Sequence, residues 1–208
     1  MAPERLQLLL ETAAREFAAR GFESASLNAI IRACGISKSS FYHFLGSKEA
    51  LFDRVVETAA AALARDLDAP DPEALAGPHF WPRVAAFVDQ AVATAGRRAW
   101  YVDFGKLFYL ADLSAERHPA LGRVLAGISD WVGRVLAVGR ASGAVREDLP
   151  ATLQAELVFA VLQAMDRWSL QHLDALDEDA HAALLKSQLD ALQRLLAPAP
   201  RNAESVAG

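Results

Sequence analysis

Apolar residues recur at intervals of three and four along almost the whole chain, and no stretch alternates apolar with polar as a strand does. A chain with this periodicity packs helix on helix, so the expected fold class is all-α. Glycine, serine and proline punctuate it. A first helix, Glu4 to Arg20, sets Leu6, Leu9, Leu10, Ala13 and Phe17 on one face, and Gly21 ends it. Ser26 stands where a cap belongs, before a short helix holding Leu27, Ile30 and Ile31 that stops at Gly35. Ser37 caps a third helix, Lys38 to Phe44. Gly46 breaks that one, and Ser47 caps a fourth that runs to about Leu67. Glu49 lies in its first turn, where the helix dipole favours a carboxylate. A loop with Pro70, Pro72, Pro78 and Pro82 follows. Further helices are expected at roughly 83–96, 98–113, 119–141, 150–173 and 178–196, with a disordered tail from Pro198 to Gly208.

Residues 26–48 read SLNAIIRACGISKSSFYHFLGSK. Two short helices joined through Cys34-Gly35-Ile36-Ser37 meet the needs of a helix-turn-helix: a tight turn, a glycine in it, and apolar residues on both helices to bury. Ile30, Ile31, Ile36, Phe41 and Phe44 are the candidates for burial. Lys38, Ser39, Tyr42 and His43 remain for the other face of the second helix.

Charge singles out the same stretch. The chain carries a net charge of −5, which taken whole argues against a nucleic-acid partner. From Ser24 to Lys48, however, there is no Asp or Glu, and Arg32, Lys38 and Lys48 give +3. Each carboxylate facing DNA would repel it, so phosphate binding needs this absence.

These residues resemble the DNA-binding domain of TetR-type (tetracycline-repressor-like) transcriptional regulators across residues 6–57. The matching elements are Ala13, Phe17 and Gly21-Phe22, then Ser26-Leu27-x-x-Ile30. Next come Cys34-Gly35-Ile36-Ser37-Lys38-Ser39-Ser40-Phe41-Tyr42-His43-Phe44 and Ser47-Lys48-Glu49-Ala50-Leu51, in order and without gaps. Leu45-Gly46 and Ser40 depart from the commoner family residues. The resemblance implies a three-helix DNA-binding domain over 1–48, joined to a larger helical ligand-binding and dimerisation domain over 49–197. It also implies roles. Lys38 and Ser39 would face base edges, and Ser40, Tyr42, Lys48 and Ser26 would bond phosphates. His43 would lie against backbone or base, with Arg32 adding to the positive field. Hydroxyls mainly fix register on the backbone, whereas lysine can donate to guanine acceptors.

A lone helix-turn-helix makes few contacts, so a second copy is expected. Leu153, Leu157, Val161, Met165 and Trp168 form one stripe, and Leu185, Leu189, Leu192 and Leu196 another. The stripes either close the chain's own core or build a four-helix homodimer interface, which is the family's usual arrangement. An apolar fraction of 53% leaves material for both a core and a partner surface.

The middle helices concentrate aromatics among a few polar side chains, the composition of a ligand pocket or of an ordinary core. The resemblance favours a pocket for a small, mainly apolar inducer, with Trp100, Asp103, Phe104, Phe108, Trp131 and Gln163 as its expected lining. A cationic ligand facing Asp103 or Asp130 is the variant. The expected function is a homodimeric repressor released from double-stranded operator DNA by that inducer. The alternative is a regulator whose second domain senses a protein partner or nothing.

Other classes fit less well. There is no G-x-S-x-G, Walker loop, dinucleotide fingerprint or His-Glu-x-x-His, so no enzyme and no cofactor is expected. His172 and His181, nine apart, do not share a helix face, so no metal site is expected either. Cys34 is the one cysteine and cannot form an intramolecular disulfide. With no apolar run of about 18 residues and no signal-peptide pattern in Met1 to Leu10, a cytoplasmic location away from membranes is expected.

Overall fold

The computed structural model describes residues 2–109, 117–172 and 175–198. Among these residues lie nine α-helices and no strand. They are α1 (Pro3–Ser24), α2 (Leu27–Ala33), α3 (Lys38–Phe44), α4 (Lys48–Leu67), α5 (Phe80–Gly96), α6 (Ala99–Leu107), α7 (Pro119–Ala141), α8 (Ala151–His172) and α9 (Glu178–Leu196), with a 3-10 turn at Pro72–Leu75.

The all-α expectation holds, and most boundaries fall within a few residues of the sequence reading. At Gly21 the backbone leaves the helix, at φ 75°, ψ 165°, so the long helical run ends there as expected, and a short further turn carries the chain to Ser24. Two boundaries differ for identifiable reasons. Helix α5 starts at Phe80, before Pro82, because the first amides of a helix have no intrahelical partner and a proline there loses nothing. Helix α6 stops at Leu107, where the bonds Phe108 N–H to Gly105 O (3.2 Å) and Tyr109 N–H to Lys106 O (3.1 Å) tighten the last turn. The end of the helix expected over 98–113 and the tail expected to be disordered lie outside the described residues, apart from Pro198.

The chain divides into two compact units, Met1–Ala69 with Val88–Ile128, and Pro70–Phe87 with Ser129–Gly208. In the first, α6 packs against α1 and α4. Its core holds Phe17, Phe22 and Phe52, with ring centroids 5.3–5.7 Å apart. His118, 2% exposed, is set edge-on against Phe22 and tilted against Phe52, 4.6 Å from each. Polar contacts tie down the end of α4. The Tyr101 hydroxyl donates to Asp66 at 2.6 Å, and Arg98 lies 3.6 Å from the same carboxylate. Burial, and then that hydrogen bond, push the Tyr101 phenol above its ordinary range.

The second unit gathers Phe80, Val132, Val135, Leu136, Val145, Val158 and Leu196. Arg140 organises the connection into α8, donating to Leu149 O and Gln154 Oε1, each at 3.0 Å, while buried Gln154 donates to Arg146 O at 3.1 Å. Gly139 marks a close approach in α7. A Cβ there would meet Val145 Cγ2 at 2.6 Å and Phe80 Cζ at 2.8 Å. Alanine is the better helix former by about 1 kcal/mol. Gly139→Ala nevertheless destabilises the protein, by about 1–3 kcal/mol, because Val145 and Phe80 are both buried and have no free space to yield into. Thermal unfolding of the variant checks the sign, and a raised midpoint contradicts the close packing.

Candidate nucleic-acid interface

The turn between α2 and α3 is built by its backbone. Gly35 takes φ 61°, the left-handed conformation that glycine adopts without strain. Ile36 N–H bonds Ile31 O and Gly35 N–H bonds Arg32 O, each at 3.1 Å. This paired closure satisfies the last carbonyls of α2 and brings Ile31 and Ile36, both buried, together beneath the turn. Cys34 is buried with its Sγ 3.8 Å from Leu8 O, so it serves as packing.

Serine hydroxyls cap the three helices that follow. Ser26 accepts from Ala29 N–H at 3.2 Å, Ser37 from Ser40 N–H at 3.1 Å and Ser47 from Ala50 N–H at 3.1 Å. Helix α3 ends at Gly46, φ 80°, whose amide bonds Tyr42 O at 3.1 Å. Phe41 is fully buried and anchors α3 in the core of the first unit. The Glu49 carboxyl is held below the ordinary carboxylate range, first by a backbone N–H and then by the Ser47 hydroxyl. This interaction is complete above that range and weakens as the pH falls through and below it.

Arg32, Lys38, Ser39, Ser40, Tyr42 and His43 are all exposed. Three of the expected DNA contacts are partly engaged within the chain. The Ser26 amide donates to Glu16 Oε1 at 3.0 Å, leaving only the capping hydroxyl to face outward. Lys48 Nζ donates to Glu23 O at 3.0 Å and lies 4.9 Å from the Phe22 ring centroid, which leaves two of its three donors. The Ser37 hydroxyl donates to Ser40 Oγ at 2.9 Å.

One side chain differs from the sequence reading. Phe44 was expected beneath the turn and is instead 53% exposed. Its neighbour Leu45 is the half-buried one, packed against the core of the first unit. Both positions are apolar, so periodicity over a seven-residue helix does not separate them.

The model for "Bacterial regulatory proteins, tetR family" matches residues 9–55, which span the whole helix-turn-helix and the start of α4. Residues 9–55 of this chain are thus similar to the DNA-binding part of that family. The HTH-type transcriptional regulator UidR of Escherichia coli is 28% identical to this chain over 164 residues, covering 75% of this chain and 76% of UidR. The fold matches a TetR-family transcription regulator from a Shewanella species, at TM-score 0.66, 18% identity and coverage of 93% and 98%. It also matches the regulator FadR of Bacillus subtilis in complex with stearoyl-CoA, at TM-score 0.66, 14% identity and coverage of 89% and 96%. The matched stretch contains the two helices and the turn described above.

Trp100 and Phe104 are buried in the core of the first unit, with Phe108 packed against it and Asp103 half-buried on the same helix. Trp131 and Gln163 belong to the second unit, where the Trp131 indole donates to Pro70 O at 3.1 Å and its ring packs on Phe87 at 5.1 Å. An open cavity of about 460 Å³ in the second unit, between the 3-10 turn and α7, is lined by other residues. On α8, Leu153, Leu157 and Trp168 are 43%, 41% and 44% exposed, while Val161 and Met165 are half-buried. On α9, Leu185, Leu189 and Leu192 are half-buried. Leu196 faces the unit's own core at 5% exposure, and its neighbour Leu195 is exposed. Among the described residues no His, Cys, Asp or Glu group is arranged to hold a metal, and no helix is long and apolar enough to cross a membrane.

Proposed function

We propose that the chain is a homodimeric, cytoplasmic repressor that binds a near-palindromic operator through α3 and leaves it when a small, mainly apolar molecule binds. The DNA-reading part rests on one observation: an exposed polar face on α3, Lys38 to His43, inside a stretch from Ser24 to Lys48 without a carboxylate. Lys38 and Ser39 read base edges. Ser40, Tyr42 and Lys48, with Arg32 and the Ser26 hydroxyl, hold phosphates, and His43 lies between the two groups.

Pairing rests on α8. Leu153, Leu157, Ala160, Ala164 and Trp168 form an exposed apolar stripe at helical spacing, with Leu195 of α9 also exposed. A second copy covering this stripe brings two recognition helices into one molecule, so that two half-sites are read together.

Ligand response rests on α6. The Trp100 indole N–H is buried without a hydrogen-bond partner among the described residues, an unmet need that a ligand oxygen can satisfy. Helix α6 also packs on α1 and α4, so a molecule displacing Trp100, Phe104 or Phe108 disturbs the helices that carry the recognition unit. A coupling of about 1–3 kcal/mol lowers operator affinity roughly 5–150-fold.

Gel shift with the DNA upstream of the protein's own gene tests the central reading, and no shift at low salt ends it. Lys38→Ala lowers discrimination at one operator position by about 1–3 kcal/mol. Lys48→Ala weakens all duplexes alike and reduces the salt slope by about one. Reversal of that pattern exchanges the two roles. Tryptophan fluorescence against a compound panel tests the ligand response: a binder that leaves the operator complex intact is no inducer.

A further inference from the structure

We propose that Phe44 reads a thymine methyl group in each operator half-site. This rests on the reading of α3 as the DNA-contacting helix. Phe44 is 53% exposed, and the described residues leave it uncovered. At about 100° per residue, the buried Phe41 places Ser39 and His43 at the outward pole of α3. Lys38 and Tyr42 then lie on one flank, with Ser40 and Phe44 on the other. The His43 ring stands edge-on to Phe44 at 5.2 Å and 74°, which supports the phenyl beside that pole.

The surroundings say what covers the ring. Arg32, Lys38 and Lys48 make this stretch +3 with no carboxylate, so its occupant is a polyanion. A phenyl group makes no hydrogen bond to phosphate, and a phosphate against it leaves an anion without a donor. In the major groove the apolar feature that a base pair presents is the C5 methyl of thymine, and phenylalanine is one of the side chains suited to it. Phe44 therefore adds apolar readout on the flank opposite Tyr42, where the polar side chains alone cannot tell thymine from other bases that offer an acceptor.

The test uses the full-length protein and duplexes selected from a random 24-base-pair library by the protein itself. Each thymine of the selected half-site is replaced in turn by uracil, which removes the methyl and keeps every hydrogen-bonding group. At one position per half-site the replacement weakens binding about four-fold, the worth of one buried methyl. Phe44→Ala binds the thymine and uracil duplexes equally at that position, while Phe44→Leu keeps the preference. Circular dichroism of both variants matches the parent, as expected for an exposed side chain. A uracil effect under two-fold everywhere, a half-site without thymine, or an undiminished effect in Phe44→Ala overturns the assignment while leaving DNA binding intact. Failure of the parent protein to select any duplex instead overturns the DNA-reading role of α3, and the Phe44 assignment with it.

Discussion

Phe52→Ala costs about 3–5 kcal/mol of folding stability and abolishes operator binding at 37 °C. Phe52 is fully buried and meets Phe17 at 5.3 Å, Phe22 at 5.5 Å and His118 at 4.6 Å. Truncation leaves a cavity that three rigid rings cannot collapse to fill. The loss is large against a total stability of about 5–15 kcal/mol. It falls on the recognition unit, because Phe22 lies just ahead of α2 and Phe52 in the second turn of α4, directly after α3. Chemical denaturation followed by circular dichroism measures the stability, and a gel shift at rising temperature measures the function. A loss below about 1 kcal/mol, outside the range for buried aromatics, shows that the cluster is not the keystone of this unit.

Leu157→Glu is expected to leave the helix content intact and turn the protein into a monomer. Leu157 is 41% exposed, so a carboxylate there costs the folded chain little. Once a second copy covers that face, the same carboxylate must be buried without a partner, which strongly opposes association. Operator affinity then falls by on the order of a thousandfold or more, towards the non-specific level, since each monomer reads one half-site alone. Sedimentation gives the mass and a salt-matched gel shift gives the affinity. A Leu157→Glu protein that remains dimeric places the interface elsewhere, and one that is monomeric with undiminished affinity removes the need for pairing.

The two variants probe features with different visibility in the sequence. Phe52 carries no local signature: it is one apolar residue among many in α4, and its importance comes from Phe17, Phe22 and His118, brought to it from up to 66 positions away. The stripe on α8 was visible as spacing, yet spacing alone cannot separate a face buried by the same chain from one that awaits a second. Leu196 illustrates this: its spacing places it in the pairing stripe, yet it is buried in the second unit while Leu195 is exposed. The exposure of Lys38, Tyr42 and His43 on α3 was legible because its signal is local. It needs only a glycine at the turn, serines at the caps and the absence of carboxylates nearby.

The helical class, the caps at Ser26, Ser37 and Ser47, the glycine breaks at Gly35 and Gly46 and the carboxylate-free stretch around α3 follow from the residues alone. Each of these depends on residues within about one helical turn of one another, where backbone geometry and charge act at short range. Long-range packing, by contrast, makes Gly139 the point where Phe80 and Val145 press on α7, and has Lys48 tie down the end of α1. It also decided that Phe44 points outward while Leu45 packs inward. Those outcomes depend on which distant side chains reach a site first, and apolar periodicity carries no information about that competition.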